Sequence, residues 1–442
     1  MYKAFKGLWS FHTSLHPVKL ALVGYLSYII AGCILLWEPF SQKGVGTNVL
    51  DCLFISTSAV STTGLATVSI ADNFNLFGQV VILLLIQLGG IGYMTFSSFV
   101  VLSASRNLSE ARTGVAKTVF SLPSHFRVDK FIRSVIIFTL VIETTAALAL
   151  YAAFLRRGAD NPVWSAIFHS VSSFCTAGFS IYNSSFEGFA DDFWLNAIVS
   201  ATAIFGAVGF IVFVDVWRRI THKEERITLT SRIILYTTLW LTIIGTFLFF
   251  VSEPSVQVMP GEKRLLASFF QTMTAMTTVG FNTINISAIS HASLLLLAVL
   301  MVIGASPSGT GGGLKSTTFA AVVGVMVSAM RGKHEVRFWG RKVPDDRLQA
   351  AVASLGFYLG TLLVGTYLLA LTEVFPFENL LFEAASALGT VGLSTGITPD
   401  LSDLGKFIIT LLMFVGRIGP LTFGLALAAG TPKVQTDEDL AI

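Results

Sequence analysis

The sequence predicts an all-α membrane protein. Four membrane–pore–membrane repeats in one chain would give eight transmembrane helices and four re-entrant pore helices around a pseudo-four-fold pore. Three observations predict this fold. The chain of 442 residues is 53% hydrophobic and only 12% charged, whereas about 25% of the residues in a soluble domain are charged. Its apolar residues come in long runs, and one short motif occurs four times.

The repeated motif reads T-x-G-[L/F], and each copy ends a short apolar segment. The copies begin at Thr62, Thr176, Thr278 and Thr390. A phenylalanine lies ten residues before each motif glycine, and a hydroxyl residue lies six before it. The phenylalanines are Phe54, Phe168, Phe270 and Phe382, and the hydroxyl residues are Ser58, Ser172, Thr274 and Ser386. These matched columns indicate four copies of one unit.

In chain order, each unit is predicted to contain a spanning helix, a short helix that ends at the motif, and a second spanning helix. The spans correspond to the runs Leu20–Trp37, Leu76–Leu102, Val135–Leu155, Ala197–Trp217, Ile233–Val251, Ser293–Gly304 with Thr317–Met330, Ala350–Leu371 and Phe407–Ala429. The short segments are Asn48–Thr62, Pro162–Thr176, Lys263–Thr278 and Phe377–Thr390. A bilayer core takes ~20 helical residues, so each short segment is expected to enter and leave the membrane from one side. The repeats are predicted at 1–103, 128–217, 230–330 and 347–430, and a short cytoplasmic tail at 431–442.

Lysine and arginine residues predict the orientation, because they mark the cytoplasmic side of a membrane protein. They are concentrated at the N-terminus and between the units, at 104–133, 217–232 and 331–347. Both termini are therefore expected in the cytoplasm, and the short helices are expected to enter the plasma (inner) membrane from outside. No cleavable signal is evident, because the first apolar run is long and further spans follow it.

The second spans share the pattern G-x-x-G-x-x-x-F, as in Gly89–Phe96, Gly206–Phe213 and Gly416–Phe423. In the third unit, eight more residues separate Gly304 from Phe319, and the insert is rich in glycine. Because glycine is costly inside a helix, the second span of the third unit is predicted to be broken, near mid-membrane. Helix packing is the favoured interpretation of the other paired glycines, which are Gly89, Gly92, Gly206, Gly209 and Gly419.

Irregular backbone inside a membrane is tolerated only where it is buried in protein or lines a water-filled cavity. Four such loops around one axis predict a pore in which backbone carbonyls replace the water of a dehydrated cation. Glycine permits the backbone turn that this requires, and the C-terminal ends of four short helices favour a cation. The alternative is that these glycines serve only helix packing. The predicted filter residues are Thr62, Thr63, Gly64, Thr176, Ala177, Gly178, Thr278, Val279, Gly280, Thr390, Val391 and Gly392.

The glycine-rich insert is predicted to be a mobile gate beneath the four loops, because glycine lowers the cost of rearrangement. Its predicted residues are Gly304, Gly309, Gly311, Gly312, Gly313 and Lys315, together with Arg417 of the last span. A full charge in an apolar span is functional by default. The alternatives are a simple helix kink and a lipid-anchoring arginine. The insert nearly matches a phosphate-binding loop, but Leu314 replaces the required second glycine.

Four other polar residues lie in apolar sequence, namely Glu143, Asp215, Glu383 and His169. Structural roles are the favoured interpretation of all four. The sequence contains no recognisable hydrolytic triad or metal-ligand cluster, so an enzyme is not expected. A membrane-embedded enzyme that acts on lipid is the remaining alternative from another functional class, and the lack of paired carboxylates or histidines near a membrane face argues against it.

The four motifs, the G-G-G-L-K sequence of Gly311–Lys315, and Arg417 within Gly416–Pro420 resemble the Trk/Ktr/HKT superfamily of potassium transporters. The Ktr-type membrane subunit is the most similar type, since only 19 residues precede the first span. The resemblance covers nearly the whole chain. It implies that the four motif glycines form a selectivity filter and that Gly304–Lys315 is an intramembrane gating loop. It also implies potassium as the substrate, by a channel-like or a sodium-coupled pathway, with no covalently bound cofactor. In the resembled superfamily a serine at the first filter glycine goes with sodium preference, so the resemblance implies that Gly64 favours potassium.

The resemblance also implies partners. Such subunits form homodimers, in which each protomer has its own pore, and they lie on a cytoplasmic ring of regulatory subunits that bind ATP or ADP. Membrane lipids are expected around the chain, and no nucleic acid is expected. The main alternative is the potassium-translocating subunit of an ATP-driven pump, which is usually longer and has additional spans.

Overall fold

The computed structural model describes residues 17–44, 46–92, 128–221 and 227–419. The basic N-terminus, most of the predicted cytoplasmic segment at 104–133 and the tail at 431–442 lie outside the described residues. The last parts of the predicted repeats 1 and 4, which contain Phe96 and Phe423, lie outside them as well. The described residues form helices, short loops and one two-stranded hairpin.

The helices follow the predicted order of elements. They are α1 Pro17–Trp37, α2 Val49–Val60, α3 Ile70–Asn73, α4 Leu76–Ile91, α5 Val128–Arg156, α6 Pro162–Phe174, α7 Phe193–Val208, α8 Phe210–Ile220, α9 Leu229–Ser252, α10 Pro254–Gln257, α11 Gly261–Thr277, α12 His291–Ile303, α13 Ser316–Met330, α14 Asp345–Thr372, α15 Phe377–Gly389 and α16 Asp403–Ile418. Short 3-10 helices occur at Pro39–Ser41, Glu187–Phe189, Ile286–Ala288 and Thr398–Asp400. Helices α2, α6, α11 and α15 coincide with the four predicted short segments, and each ends within two residues of a motif threonine.

Polar caps and prolines set where many helices begin. Asn48 caps α2 by accepting a hydrogen bond from the amide of Asp51, and Thr228 caps α9 by accepting one from Ser231. Pro162 occupies the first position of α6, where a missing amide hydrogen costs nothing. These caps and prolines mark the residues at which the helices of the apolar runs begin.

Three described helices are long and apolar enough to cross a membrane, namely Ile132–Arg156 of α5, α9 and α14. The bent pair formed by α7 and α8 would be a fourth if it is one span. The other apolar helices at predicted spans are shorter, such as Leu76–Ile91 and His291–Ile303. The arrangement of eight transmembrane helices therefore stays a prediction.

The second span of the second unit is interrupted as well as that of the third unit, for which the break was predicted. Helices α7 and α8 meet at a bend of 92°, and Gly209 between them has φ 92° and ψ 151°. Glycine alone adopts such a backbone without strain. Gly92 and Gly419 also have positive φ and end α4 and α16. The helix break predicted between Gly304 and Lys315 is present, between α12 and α13.

The paired glycines therefore have two different roles. A methyl group on Gly89, Gly206 or Gly416 would collide with the backbone carbonyl oxygen at the end of a short helix, at Val60, Phe174 or Leu388 respectively. The packing interpretation is confirmed for Gly89 and Gly206. It is incomplete for Gly92, Gly209 and Gly419, which turn the backbone by their positive φ.

Large apolar residues fill the space around the short helices. The four phenylalanines of the repeated column are at most 1% exposed, so this column marks a buried position of each short helix. By contrast, the long helices expose apolar side chains such as Leu148, Phe247 and Leu363. Apolar side chains exposed along long helices are typical of a protein surrounded by lipid.

The segment predicted to be a cytoplasmic loop at 331–347 contains the hairpin. Strand β1 Arg337–Phe338 pairs in antiparallel fashion with β2 Arg341–Lys342. Trp339 and Gly340 form the turn, and both have positive φ. The Trp339 ring lies 5.0 Å from that of Tyr236, and Arg232 lies over it. These aromatic contacts join the hairpin to α9.

Candidate cation-binding site

The four T-x-G segments share one backbone conformation. The first residue of each has a left-handed φ, at Thr62, Thr176, Thr278 and Thr390, with values of 54°, 50°, 60° and 51°. The motif glycines have positive φ as well, from 66° at Gly178 to 94° at Gly392. The amide of each middle residue donates to the carbonyl five residues earlier, at distances between 2.8 and 3.1 Å. This is a Schellman-type helix end, so the motif stops the short helix in the same way four times.

The segments contact one another in cyclic order. A methyl group on Gly64 would collide with the carbonyl oxygen of Ala177 in the second segment. The same relation links Gly178 to Val279, Gly280 to Val391, and Gly392 back to Thr63. The fourth segment therefore closes on the first. We call these twelve residues the T-x-G ring.

The carbonyl groups of the T-x-G ring lack hydrogen-bond partners. Within the part of the chain that the structure describes, none of its twelve backbone carbonyls accepts a hydrogen bond. The eight residues of the ring other than glycine are fully buried. Buried carbonyls are almost always paired, so the carbonyls of the eight buried residues are oxygen atoms available to a ligand. Oxygen atoms of this kind are suited to a dehydrated cation.

The segment Gly304–Lys315, which we call the glycine-rich loop, lies against the first threonine of every motif. The hydroxyl of Thr62 donates to the carbonyl of Thr310 at 3.3 Å, and the hydroxyls of Thr176 and Thr310 share a hydrogen bond of 3.1 Å. The amide of Gly312 donates to the hydroxyl of Thr390 at 2.9 Å. A methyl group on Gly311 would collide with the hydroxyl of Thr278. The loop therefore lies across one face of the T-x-G ring.

Two cationic side chains hold the glycine-rich loop. Arg417 donates to the carbonyl of Thr310 and, at 2.9 Å, to the hydroxyl of Thr62. It also donates to the carbonyl of Gly89 at the end of α4. Lys315 donates to the carbonyl of Gly311 at 2.8 Å. The sequence predicted that Arg417 acts together with the glycine-rich loop, and the structure shows its direct hydrogen bonds to the loop and the ring.

The loop is also joined to the bend between α7 and α8. The amides of Phe210 and Ile211 donate to the carbonyl and the hydroxyl of Ser308, at 3.2 and 3.1 Å. The amide of Thr310 donates to the carbonyl of Gly206 at 3.1 Å. Sequence reasoning missed Ser308 and Thr310 as contact residues. The available signal was that these two hydroxyl residues flank Gly309 within the insert.

One column of the short helices anchors the chain that follows the second, third and fourth motifs. His169 contacts the hydroxyl of Ser180 at 3.0 Å, and Gln271 accepts a hydrogen bond from the amide of Thr283 at 3.0 Å. Glu383 accepts one from the amide of Thr395 at 3.1 Å. The three side chains are fully buried. These contacts agree with the predicted structural role of His169 and Glu383.

Glu143 and Asp215 also contact residues of the fold. Glu143 of α5 accepts a hydrogen bond from Gln87 at 3.2 Å. Asp215 of α8 accepts one from Ser231 at 2.5 Å and another from Thr228. These contacts join neighbouring helices, as expected for structural polar residues.

The family of the protein follows from the sequence comparison. Residues 34–435 match the TrkH family model, which is described as a cation transport protein. The match covers most of the chain, and the chain therefore belongs to the TrkH family of cation transport proteins.

Curated relatives match almost the whole chain. It is 36% identical over 432 residues to the potassium/sodium uptake protein NtpJ of Enterococcus hirae, which covers 96% of this chain and 95% of the relative. It is 33% identical over 417 residues to the Ktr system potassium uptake protein B of Bacillus subtilis, with 93% of each chain covered. The Ktr system potassium uptake protein B of Vibrio alginolyticus is also 33% identical, over 96% of this chain and 94% of the relative.

A solved structure has the same fold. The potassium transporter TrkH from Vibrio parahaemolyticus superimposes with a TM-score of 0.74, over 93% of this chain and 84% of that chain. The two sequences are 19% identical, so this comparison supports the fold alone.

Proposed function

We propose that this protein carries potassium ions into the cell through a selectivity filter formed by the T-x-G ring. The observation that carries the proposal is the closed ring of carbonyl groups that accept no hydrogen bond from any described residue. A dehydrated potassium ion needs several such oxygen atoms. The short helices end at this ring, and their partly negative C-terminal ends favour a cation over an anion.

The names of the relatives support potassium as the transported ion. Two of them are potassium uptake proteins, and a third is a potassium/sodium uptake protein. Flux into liposomes with and without sodium distinguishes a sodium-coupled pathway from a channel-like one. The alternative of a pump subunit is not favoured, because the near-full-length relatives are uptake proteins of other systems.

The proposal includes four membrane–pore–membrane repeats, at 1–103, 128–217, 230–330 and 347–430. Four helices that end in the same backbone conformation, each preceded by a long apolar helix, support it. The short helices would be re-entrant from outside, with both termini in the cytoplasm and the protein in the plasma membrane. The basic segments between the repeats support this orientation.

The proposed gate is the glycine-rich loop together with Arg417. The loop contacts all four motif threonines, so a cation that leaves the ring on this side must pass it. Arg417 bonds to the loop and to Thr62 and would stabilise the closed position. Movement of the loop would then open the path.

The proposed partners are a second copy of the chain and a cytoplasmic ring of subunits that bind ATP or ADP. The names of the Ktr system relatives support a multi-component system. The basic segments at 104–133 and 331–347 are the candidate docking surface. Purification from membranes in mild detergent is expected to recover a nucleotide-binding protein. Recovery of the dimer alone would contradict this part of the proposal.

The filter is tested by four single variants, Gly64→Ser, Gly178→Ser, Gly280→Ser and Gly392→Ser. Each new side chain would collide with the carbonyl of the next segment, so we expect a lower ratio of potassium to sodium flux, or no uptake. Gly360→Ser is the control, because a side chain there meets no atom within 4 Å. Flux is measured in liposomes per folded protein. Unchanged selectivity in all four variants would show that the ring is not the filter.

A further inference from the structure

We infer that Ser58 and Ser386 are positioning residues that set the selectivity of the first and fourth segments of the T-x-G ring. These serines belong to the hydroxyl column six residues before each motif glycine. The inference rests on the proposed function of the ring as a potassium filter. It adds that serine hydroxyls hold the motif glycines of the first and fourth segments, whereas, among the described residues, the second and third segments lack this bond.

Each of these serines binds two successive amides of its segment. The backbone carbonyl of Ser58 accepts from the amide of Thr63 at 2.8 Å, and its hydroxyl accepts from the amide of Gly64 at 3.0 Å. Ser386 has the same two bonds, to Val391 at 2.8 Å and to Gly392 at 3.0 Å. Both serines are fully buried, so water does not compete for these bonds.

The other two segments lack the second bond. The hydroxyl of Ser172 donates to the carbonyl of Phe179 at 2.8 Å, beyond the motif glycine. The hydroxyl of Thr274 is buried and has no hydrogen-bond partner in the part of the chain that the structure describes. Among the described residues, neither Gly178 nor Gly280 donates its amide hydrogen. The hydroxyl column is therefore shared by all four segments, but only two of them use it to hold the motif glycine.

The bond to the glycine amide also fixes the carbonyl before it. A peptide unit is planar and trans, so its N–H and C=O groups point in opposite directions. Because the Gly64 amide points at Ser58, the Thr63 carbonyl must point away from α2. It lies against Gly392, within the T-x-G ring. By the same geometry, Ser386 directs the Val391 carbonyl, which lies against Gly280.

The two fixed segments are neighbours, because the fourth segment closes on the first. Their carbonyls resist the peptide rotation that would adapt the ring to a smaller ion. The second and third segments lack this constraint. Loss of either serine hydroxyl should therefore reduce discrimination against sodium without preventing the ring from forming.

The test compares Ser58→Ala and Ser386→Ala with Thr274→Val. The last variant removes a hydroxyl from the same column where it has no partner and keeps the side-chain shape. The readouts are the ratio of potassium to sodium flux in liposomes and the thermal midpoint of the purified protein. We expect each alanine variant to lower the flux ratio by about two- to tenfold, the equivalent of one ordinary hydrogen bond. We expect Thr274→Val to leave the ratio unchanged.

Two results would overturn the inference: wild-type flux ratios in both alanine variants, or an equal loss in Thr274→Val. If an alanine variant does not fold, Ser58→Cys and Ser386→Cys replace it, because sulfur is a weak acceptor in a side chain of similar shape. The same loss of selectivity is then expected. If the four glycine variants leave selectivity unchanged, the filter itself is refuted. If they lower selectivity and the serine variants do not, only the inference about the serines fails.

Discussion

At the residue scale, the motif threonines hold a backbone conformation that β-branched residues seldom adopt. Such strain persists only where the surroundings fix it. Three of the four hydroxyls, those of Thr62, Thr176 and Thr390, bond to the glycine-rich loop. Glycine would adopt the same backbone more easily, but it has no hydroxyl. The threonine therefore serves as the contact between the proposed filter and the proposed gate.

The contact at Thr390 can be removed without a change of shape. Thr390→Val deletes the hydroxyl that accepts a hydrogen bond from Gly312, so we expect a higher potassium flux in the resting state. Thr278→Val is the matched control, because no described residue forms a hydrogen bond with the hydroxyl of Thr278. Flux per folded protein in liposomes measures both. Equal flux in the two variants would mean that the hydroxyl does not hold the loop.

Arg417 offers a second test of the closed state. Arg417→Gln removes a charge and most of the bonds to Thr62, Thr310 and Gly89, so we expect a modest rise in flux with selectivity retained. Arg417→Lys keeps the charge but loses the planar fork of donors. If the hydrogen bonds matter more than the charge, the lysine variant will behave like the glutamine variant. A fall in flux per folded protein in both would exclude a closing role.

The sequence identifies which residues form the candidate site but not how they meet. The four-fold repetition of the motif identifies the twelve residues of the T-x-G ring, and the full charge in an apolar span identifies Arg417. The contacts of Thr310 were not predictable, because they join residues 248 and 107 positions apart. Neither the periodicity of the sequence nor a local motif indicates contacts between residues so far apart in the chain.

At the element scale, the glycine-rich loop is the part that differs from its counterparts in the other units. Deletion of Gly309–Gly313 removes its contacts with Thr62, Thr176 and Thr390, so we expect a higher potassium flux and weaker dependence on a regulatory subunit. Flux and thermal midpoint are measured together on the purified protein. If the loop serves only packing against α7, flux and stability will fall together, and the gate is then excluded.

Short helices were easier to predict than the bends between helices. The short helices have strong signals, such as the cap at Asn48 and the proline at Pro162, and they end at a repeated motif. The bend at Gly209 was missed because a glycine within an apolar run is equally compatible with close helix packing. Only the φ of 92° at Gly209 distinguishes a bend from close helix packing. The hairpin around Trp339 was missed because its strands contain two residues each.

At the scale of the whole molecule, a largely buried ion pair joins the first unit to the last. Lys406 at the start of α16 lies 3.0 Å from Asp51 at the start of α2, and their side chains are 12% and 9% exposed. Asp51→Asn leaves the lysine charge without its partner, so we expect the protein to lose about 3–5 kcal/mol of stability. Unfolding by denaturant in detergent measures the loss.

The control for this pair is an exposed one. Glu335 forms ion pairs with Arg337 and Lys342 on the surface of the hairpin, where solvent screens the charges. Glu335→Gln should change stability little. In a double-mutant cycle, Lys406→Gln combined with Asp51→Asn should cost less than the sum of the single changes. Strict additivity would mean that the two charges do not interact.

The closure of the fourth segment on the first has a consequence for the order of synthesis. Gly392 packs against Thr63, Arg417 bonds to Thr62, and Lys406 pairs with Asp51, so the earliest part of the site is completed by the latest part of the chain. During translation, the first short helix is synthesised long before the residues of the fourth unit that contact it. Contacts so distant in sequence form slowly, because a long loop must close first. The ring therefore forms as a whole only after translation has passed the last helix, so an incomplete chain would lack the proposed filter.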